Sequence, residues 1–170
     1  MEKVVLIDFD DQVIGEMEKM QAHEEAQLHR AFSVFLYHDD KMLIHKRATE
    51  KYHCGGMWTN SCCSHPRIHE TYDEAVNRRL YEELGVKCEV KELFSFVYYY
   101  QFSNGLTEFE LDHVYIGEYT GDVEVDPSEI EEVKWISFDE LKEDIKMNPT
   151  KYTPWFVVAL TRVLKEIEDV

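Results

Sequence analysis

Cys63 stands two residues before His65 in the run Trp58-Thr59-Asn60-Ser61-Cys62-Cys63-Ser64-His65-Pro66. A thiol so close to an imidazole offers a nucleophile or an acid–base group beside a metal ligand. Two other groups carry compatible chemistry. Glu108 and Glu110 are spaced two apart, which puts both carboxylates on one face of a strand. His23 and His29 share a polar segment near the start of the chain. Each group has a duller account when taken alone. A free cysteine is commonly an inert core residue, a Glu pair can line a solvated sheet face, and a single histidine can be a satisfied core side chain. Three clusters of metal- and proton-handling residues in one chain point instead to proton transfer beside a cation.

The elements that must position these groups follow from local pattern. Val4 to Phe9 reads as a strand ending in an Asp-rich turn. Glu16 to His29 reads as an irregular or partly helical connector. Phe32 to Tyr37 and Met42 to Lys46 flank His38-Asp39-Asp40-Lys41 and predict a hairpin. Cys54-Gly55-Gly56 begins a loop that runs to Pro66, so the thiol and His65 are expected on that loop. Thr71 and Glu74 form a capping box, Ala75, Val76, Leu80 and Leu84 give a helical apolar face, and Gly85 ends the helix. Val90 to Phe102 and Glu108 to Tyr119 predict a second hairpin around Asn104-Gly105. Val133 to Ile136 predicts a strand, Ser137 and Glu140 open a short helix, and Thr153-Pro154 starts the last one. The mixture predicts an α+β fold around a mixed sheet, with residues 1–170 as one domain.

The net charge of −17 argues against nucleic acid and against anionic membranes as partners. It leaves a small-molecule substrate, and an anionic one requires the few cations to gather at one site. Four cysteines, two of them adjacent at 62 and 63, suit a reducing compartment better than a disulfide framework. The first residues lack the basic and apolar regions of a signal peptide, and no apolar run approaches membrane-spanning length. A cytoplasmic protein is expected, monomeric or dimeric.

The segment from Glu70 to Gly85 resembles the Nudix box, with Glu82, Glu83 and Gly85 in place, Ser64 where the box has glycine, and Arg79 where it has glutamate. Carboxylates in the last turn of a helix can hold Mg²⁺ bridged to phosphate oxygens. Taken alone, this stretch reads equally well as a solvated Glu-rich helix face. Over a wider span the chain resembles type I isopentenyl-diphosphate isomerases. The resemblance is carried by Lys19, His23 and His29 with Arg30-Ala31-Phe32-Ser33; by Arg47 and Lys51; by Trp58 to Ser61 with Cys63 to Pro66; by Arg78-Arg79 with Glu83 to Gly85; by Glu108-Phe109-Glu110; and by Thr153-Pro154-Trp155.

The resemblance implies a Nudix-like α/β/α sandwich and a site with defined parts. His23, His29, His65, Glu108 and Glu110 would hold Mn²⁺ or Mg²⁺, with Zn²⁺ a further candidate. Glu83 would hold a second Mg²⁺ that arrives with the substrate diphosphate. Lys19, Arg47, Lys51 and Arg79 would grip that diphosphate. Cys63 and Glu110 would be the acid–base pair, each an acid in one direction and a base in the other, with Tyr98 beside Glu110. Trp155 would face a carbocation-like intermediate. The implied reaction interconverts isopentenyl and dimethylallyl diphosphate in isoprene biosynthesis. Two rivals have other signatures. A Nudix hydrolase of nucleoside diphosphate derivatives would want a glutamate at Arg79 and has no use for Cys63. A non-catalytic metal module would be indifferent to Cys63. His38, His45, His53, His69 and His113 receive no role, nor do Cys54, Cys62 and Cys88.

Overall fold

The computed structural model describes residues 2–51 and 53–168, so Met1, Asp169 and Val170 of the 1–170 domain expectation lie outside the described residues, as does Tyr52. Among the described residues nine strands form one sheet. They are β1 (Lys3–Ile7), β2 (Val13–Glu18), β3 (His29–His38), β4 (Lys41–Arg47), β5 (Trp58–Thr59), β6 (Cys62–Ser64), β7 (Lys91–Gln101), β8 (Thr107–Glu118) and β9 (Ile130–Ser137). The helices are α1 (Lys19–Glu24), α2 (Tyr72–Leu84), α3 (Phe138–Met147) and α4 (Pro154–Glu168).

Strand β3 organises the sheet. It pairs in parallel with β8 from His29↔Glu110 to Tyr37↔Glu118. Along its other edge it meets β6 at residues 32–34 and β4 at residues 36–38, both antiparallel. Strand β7 returns antiparallel on β8, β9 runs antiparallel on β4, and β1–β2 adds an antiparallel ribbon. The sheet is therefore mixed, as expected.

Alternation along β3 sends its side chains into two cores. Phe32, Val34 and Leu36 pack with Val76, Leu80 and Leu84 of α2 on one face. Phe35 joins Phe138 of α3 and Trp155 and Phe156 of α4 on the other. Helices on both faces give the α/β/α layering. No helix among the described residues is long and apolar enough to cross a membrane.

Helix α2 begins and ends where the sequence places it. The Thr71 hydroxyl accepts from the Glu74 amide, and Gly85 takes a left-handed conformation at φ 65° that bonds its amide back to the last turn. Ser137 caps α3 by accepting from the Glu140 amide. The β3–β4 turn is Asp39-Asp40, with Asp39 at φ 51°.

Two readings are corrected. The connector expected from Glu16 to His29 is partly helical in α1, but its first residues, Glu16 to Glu18, belong to strand β2, which is half-buried or exposed throughout, so no alternation marks it. The loop from Cys54 to Pro66 contains β5 and β6, too short to show a period. The β7–β8 hairpin is as expected, closed around Ser103-Asn104-Gly105 by Phe102 N–H to Leu106 C=O at 2.8 Å.

Leu80 is fully buried in the α2 core. Leu80→Ala should lower unfolding free energy by about 2–5 kcal/mol in denaturant titration, the usual range for a cavity of that kind. A smaller change would mean that α2 is not packed as described.

Candidate active site

The sequence signature Thr59-Asn60-Ser61 proves to be a buried clamp. The Asn60 amide donates to the Val34 and Cys62 carbonyls at 3.1 and 2.7 Å. The Ser61 hydroxyl donates to the Leu43 carbonyl at 2.6 Å and accepts from the Leu36 amide at 2.8 Å. Thr59 and Thr153 share a hydroxyl hydrogen bond of 2.7 Å, which ties this segment to the start of α4 and so to Trp155. His45 of β4 donates from Nδ1 to the Ser61 carbonyl at 2.9 Å. Every one of these groups is buried, where an unmade hydrogen bond is costly. The clamp therefore fixes β6 against β3 and β4.

Adjacent cysteines on β6 then face opposite sides of the sheet. Cys62 is fully buried on the α2 side and donates its S–H to Glu83 Oε2 at 2.9 Å. Cys63 turns to the other face and lines a cleft that Lys19, Arg47, Lys51, His65, Arg79, Glu108, Glu110 and Trp155 also line. Burial pushes the Cys63 thiol up to about 12, against the opposing pull of Arg47, so the sulfur carries its proton at neutral pH. The Arg47 guanidinium lies 3.9 Å from Cys63 Sγ and 5.2 Å over the Trp155 ring.

Two groups of ligand-type atoms sit beside the cleft. One is His29, His65 and Glu110; the other is His23, His53 and Glu108. Within each group the ligand atoms all lie within 4.8 Å of one another. Glu110 Oε1 is 3.3 Å from His29 Nε2 and 3.1 Å from His65 Nε2. His29 donates from Nδ1 to the Gln27 carbonyl at 2.8 Å, and His23 from Nδ1 to the Thr107 carbonyl at 3.3 Å. That pattern leaves Nε2 of each ring with its lone pair, the arrangement metal-bound imidazoles favour. Burial drives His23 down to about 3 and lowers His65, so these rings stay neutral at physiological pH. Burial also raises Glu108, together with the charge of Glu110, while the adjoining His29 and His65 imidazoles hold Glu110 low against its own burial. Buried carboxylates this close suit a bound cation, which would let both ionise. The donor set can hold a divalent metal.

Tyr98 lies directly across the ladder from Glu110 and is buried, its hydroxyl raised by burial and by Glu108 and Glu110. The predicted phosphate cations converge, and three meet carboxylates. Lys19 pairs with Glu2 at 3.0 Å, Lys51 with Glu129, and Arg79 with Glu82 at 2.7 Å, Glu83 at 3.4 Å and Glu129 at 3.6 Å. Glu83 is buried beneath Arg79 and is not in either His–Glu group.

Four participants escaped the sequence reading. His53 joins the second ligand group. Asp112 follows Glu110 on the same strand face, buried, with its Oδ2 accepting from Ser33 Oγ at 2.8 Å. Its place two after Glu110 was a legible signal. Glu2 and Glu129 line the cleft and face its cations, and nothing local in the sequence marks them.

Residues 27–156 match the family described as NUDIX domain, and fold and site together define a Nudix-domain protein. Solved structures agree on the fold: DR0079 from Deinococcus radiodurans superposes with a TM-score of 0.71 at 22% identity, over 86% of this chain and 90% of that one. The MutT NUDIX hydrolase from Burkholderia pseudomallei gives 0.66 at 24%, over 81% and 98%. Among sequence relatives, "Isopentenyl-diphosphate Delta-isomerase 2" of Aromatoleum aromaticum is 43% identical over 96% of this chain and 87% of its own length. "Isopentenyl-diphosphate Delta-isomerase" of Pectobacterium atrosepticum is 42% identical over 95% and 90%. The chain belongs to the isopentenyl-diphosphate Delta-isomerase family.

The clamp carries a pH dependence. His45, outside both ligand groups, is driven down to about 4 by burial and by Arg47, from an ordinary value of 6.5. Between pH 6.5 and 4 only the unfolded chain takes up this proton, so stability falls on acidification through that window and is whole above it. His45→Gln should remove a slope approaching about 1.4 kcal/mol per pH unit from chemical-denaturation curves of the metal-free protein. Parallel curves for variant and parent would contradict the burial of a neutral imidazole there.

Proposed function

We propose that this chain interconverts isopentenyl diphosphate and dimethylallyl diphosphate, with Cys63 and Glu110 moving protons at opposite faces of the bound hydrocarbon. The observation that carries the reading is the meeting of Cys63, Glu110 and Trp155 in one cleft that Lys19, Arg47, Lys51 and Arg79 also line. A diphosphate would exchange places with Glu2 and Glu129 as partner of those cations, a substitution of one set of anionic oxygens for another.

The chemistry requires a proton to be added to the terminal methylene carbon and another removed from the carbon across the branch. Protonating an isolated alkene is the hard step, and it leaves positive charge on a tertiary carbon. The face of Trp155 would stabilise that charge, as its present contact with the Arg47 guanidinium suggests. Carboxyl and thiol are both held by strands of one sheet, so neither needs to move far between roles. The thiol retains its proton at neutral pH, and Tyr98 stands beside Glu110 to steady its carboxyl group. Exclusion of water is needed, because water would capture the cation. The apolar surroundings of Tyr98 and Trp155 favour that exclusion.

His23, His29, His65, Glu108 and Glu110 fit Mn²⁺ or Mg²⁺, with Zn²⁺ also within the donor chemistry. Such an ion would polarise Glu110 and make it a stronger acid when protonated. Glu83 and Glu129, both contacting Arg79, are where a Mg²⁺ accompanying the diphosphate would find carboxylates. The substrate is a small molecule, and the site works within a single domain. The hydrolase alternative is disfavoured by Arg79, which occupies the place of a box glutamate and is tied to three carboxylates.

The test is incubation with isopentenyl diphosphate and Mg²⁺ or Mn²⁺ in heavy water. Deuterium in dimethylallyl diphosphate without phosphate release is expected; released phosphate with no allylic product would favour hydrolysis. Cys63→Ala and Glu110→Gln should each cut the rate by at least roughly 10²–10⁴-fold, as loss of an acid–base group does. Full activity in either would refute its role. Lys51→Ala should raise KM roughly tenfold or more with a smaller effect on kcat, as loss of a charged hydrogen bond implies. An unchanged KM would remove Lys51 from the diphosphate site.

A further inference from the structure

His53 is buried, far in sequence from the residues it meets. Its ring centroid lies 4.8 Å from that of His23, and its Nε2 is 3.7 Å from Glu108 Oε1. The ring stacks on Phe102 at 4.3 Å between centroids and 20° between planes, which fixes the direction of its edge. The backbone around it is tightly folded. Arg47 Nε donates to the His53 carbonyl at 3.2 Å. The next residue, Cys54, is held at φ 52°, a conformation that non-glycine residues adopt at a cost. A Cβ on Gly55 would meet the Thr49 carbonyl oxygen at 2.3 Å, so only glycine fits this close approach of backbone to backbone. The amides of Gly56 and Arg47 close it with carbonyls of Arg47 and Met57 at 3.0 and 2.9 Å. The loop thus holds an imidazole inward against another imidazole and a carboxylate.

The geometry points to His53 as a sixth protein ligand of the His–Glu metal centre, so that four imidazoles and two carboxylates close around one divalent cation. His23, His53 and Glu108 form one face of three donors, and His29, His65 and Glu110 the opposing face. Two such faces make an octahedron. With ligand bonds near 2.1 Å, neighbouring donors on one face of an octahedron lie about 3 Å apart. The donors of each face lie within 4.8 Å of one another, so each face would draw in by at most about 2 Å around an ion. Across the faces, the ring centroid of His23 lies 5.3 Å from that of His29 and 6.3 Å from that of His65, so the two faces adjoin. The consequence is a centre saturated by protein side chains. It holds no open position for substrate or water, and its ion serves to charge and orient Glu110 rather than to bind the hydrocarbon.

This inference rests on the reading of the His–Glu groups as a metal centre, and the experiment separates the two. The metal-free chain is titrated with Co²⁺, followed by bound-metal stoichiometry, affinity and paramagnetic proton NMR. One ion per chain is expected, with four strongly shifted imidazole N–H resonances. His53→Phe, which keeps the stack on Phe102, should lose one resonance and weaken binding roughly tenfold or more. His53→Asn serves the same comparison should the first variant fold poorly, and the resonance count in the unmodified chain needs neither. Three shifted resonances in the unmodified chain, with equal affinity in the variant, would overturn the role of His53 and leave the centre intact. Two ions per chain would overturn the shared coordination sphere. Failure of the unmodified chain to bind Co²⁺ would overturn this inference and the metal reading together.

Discussion

Strand β3 is hydrogen-bonded along both edges, and the chemistry depends on that double pairing. Its parallel ladder with β8 sets Glu110 opposite His29, and its antiparallel ladder with β6 sets Cys63 opposite Ser33. Register in a sheet is quantised: a slip of one residue would turn every side chain to the other face. On β6 such a slip would turn Cys62 toward the cleft and Cys63 toward α2. On β8 it would bury Phe109 and Leu111 where carboxylates now lie. The buried hydrogen bonds of Asn60 and Ser61 to β3 and β4 guard against the first error. The nine-pair ladder of β3 with β8 guards against the second.

The same constraint explains how an acidic chain can build a site for an anion. Its carboxylates are not simply dispersed over the surface. Glu2 and Glu129 pair with Lys19 and Lys51 of the cleft, while Glu108 and Glu110 are buried among imidazoles. Buried charge of this kind is costly unless it is paired. The pairing differs between the two sets. Ammonium and guanidinium groups suit phosphate oxygens, whereas imidazoles suit a metal. The Cys63 thiol and the indole of Trp155 line the same cleft, each against Arg47. A molecule with a diphosphate head and a short hydrocarbon tail matches that mixed lining.

Much of this was legible in the sequence where a local rule operates. Thr71, Glu74 and Gly85 mark the ends of α2 because capping is a matter of neighbouring residues. Spacing two identifies Glu108 and Glu110 because strand alternation is strict. Thr59-Asn60-Ser61 could be tied to the site only by resemblance, since its hydrogen bonds reach across to β3, β4 and Thr153. His53 was passed over for the same reason: its companions are His23 on α1 and Glu108 on β8, and nothing beside it in the chain announces them. Strand β2 left no trace because it is an edge strand with no buried face. Glu129 could not be separated from the acidic residues around it until the fold brought it to Lys51 and Arg79.

The most direct measurement of the central claim is a crystal structure of the metal-loaded chain with an unreactive isopentenyl diphosphate analogue. The account predicts the hydrocarbon between Cys63 and Glu110, its flat faces within roughly 3.5 Å of the sulfur on one side and a carboxyl oxygen on the other. An analogue bound with its diphosphate away from Lys51 and Arg79, or with thiol and carboxyl on the same face of the hydrocarbon, would contradict it.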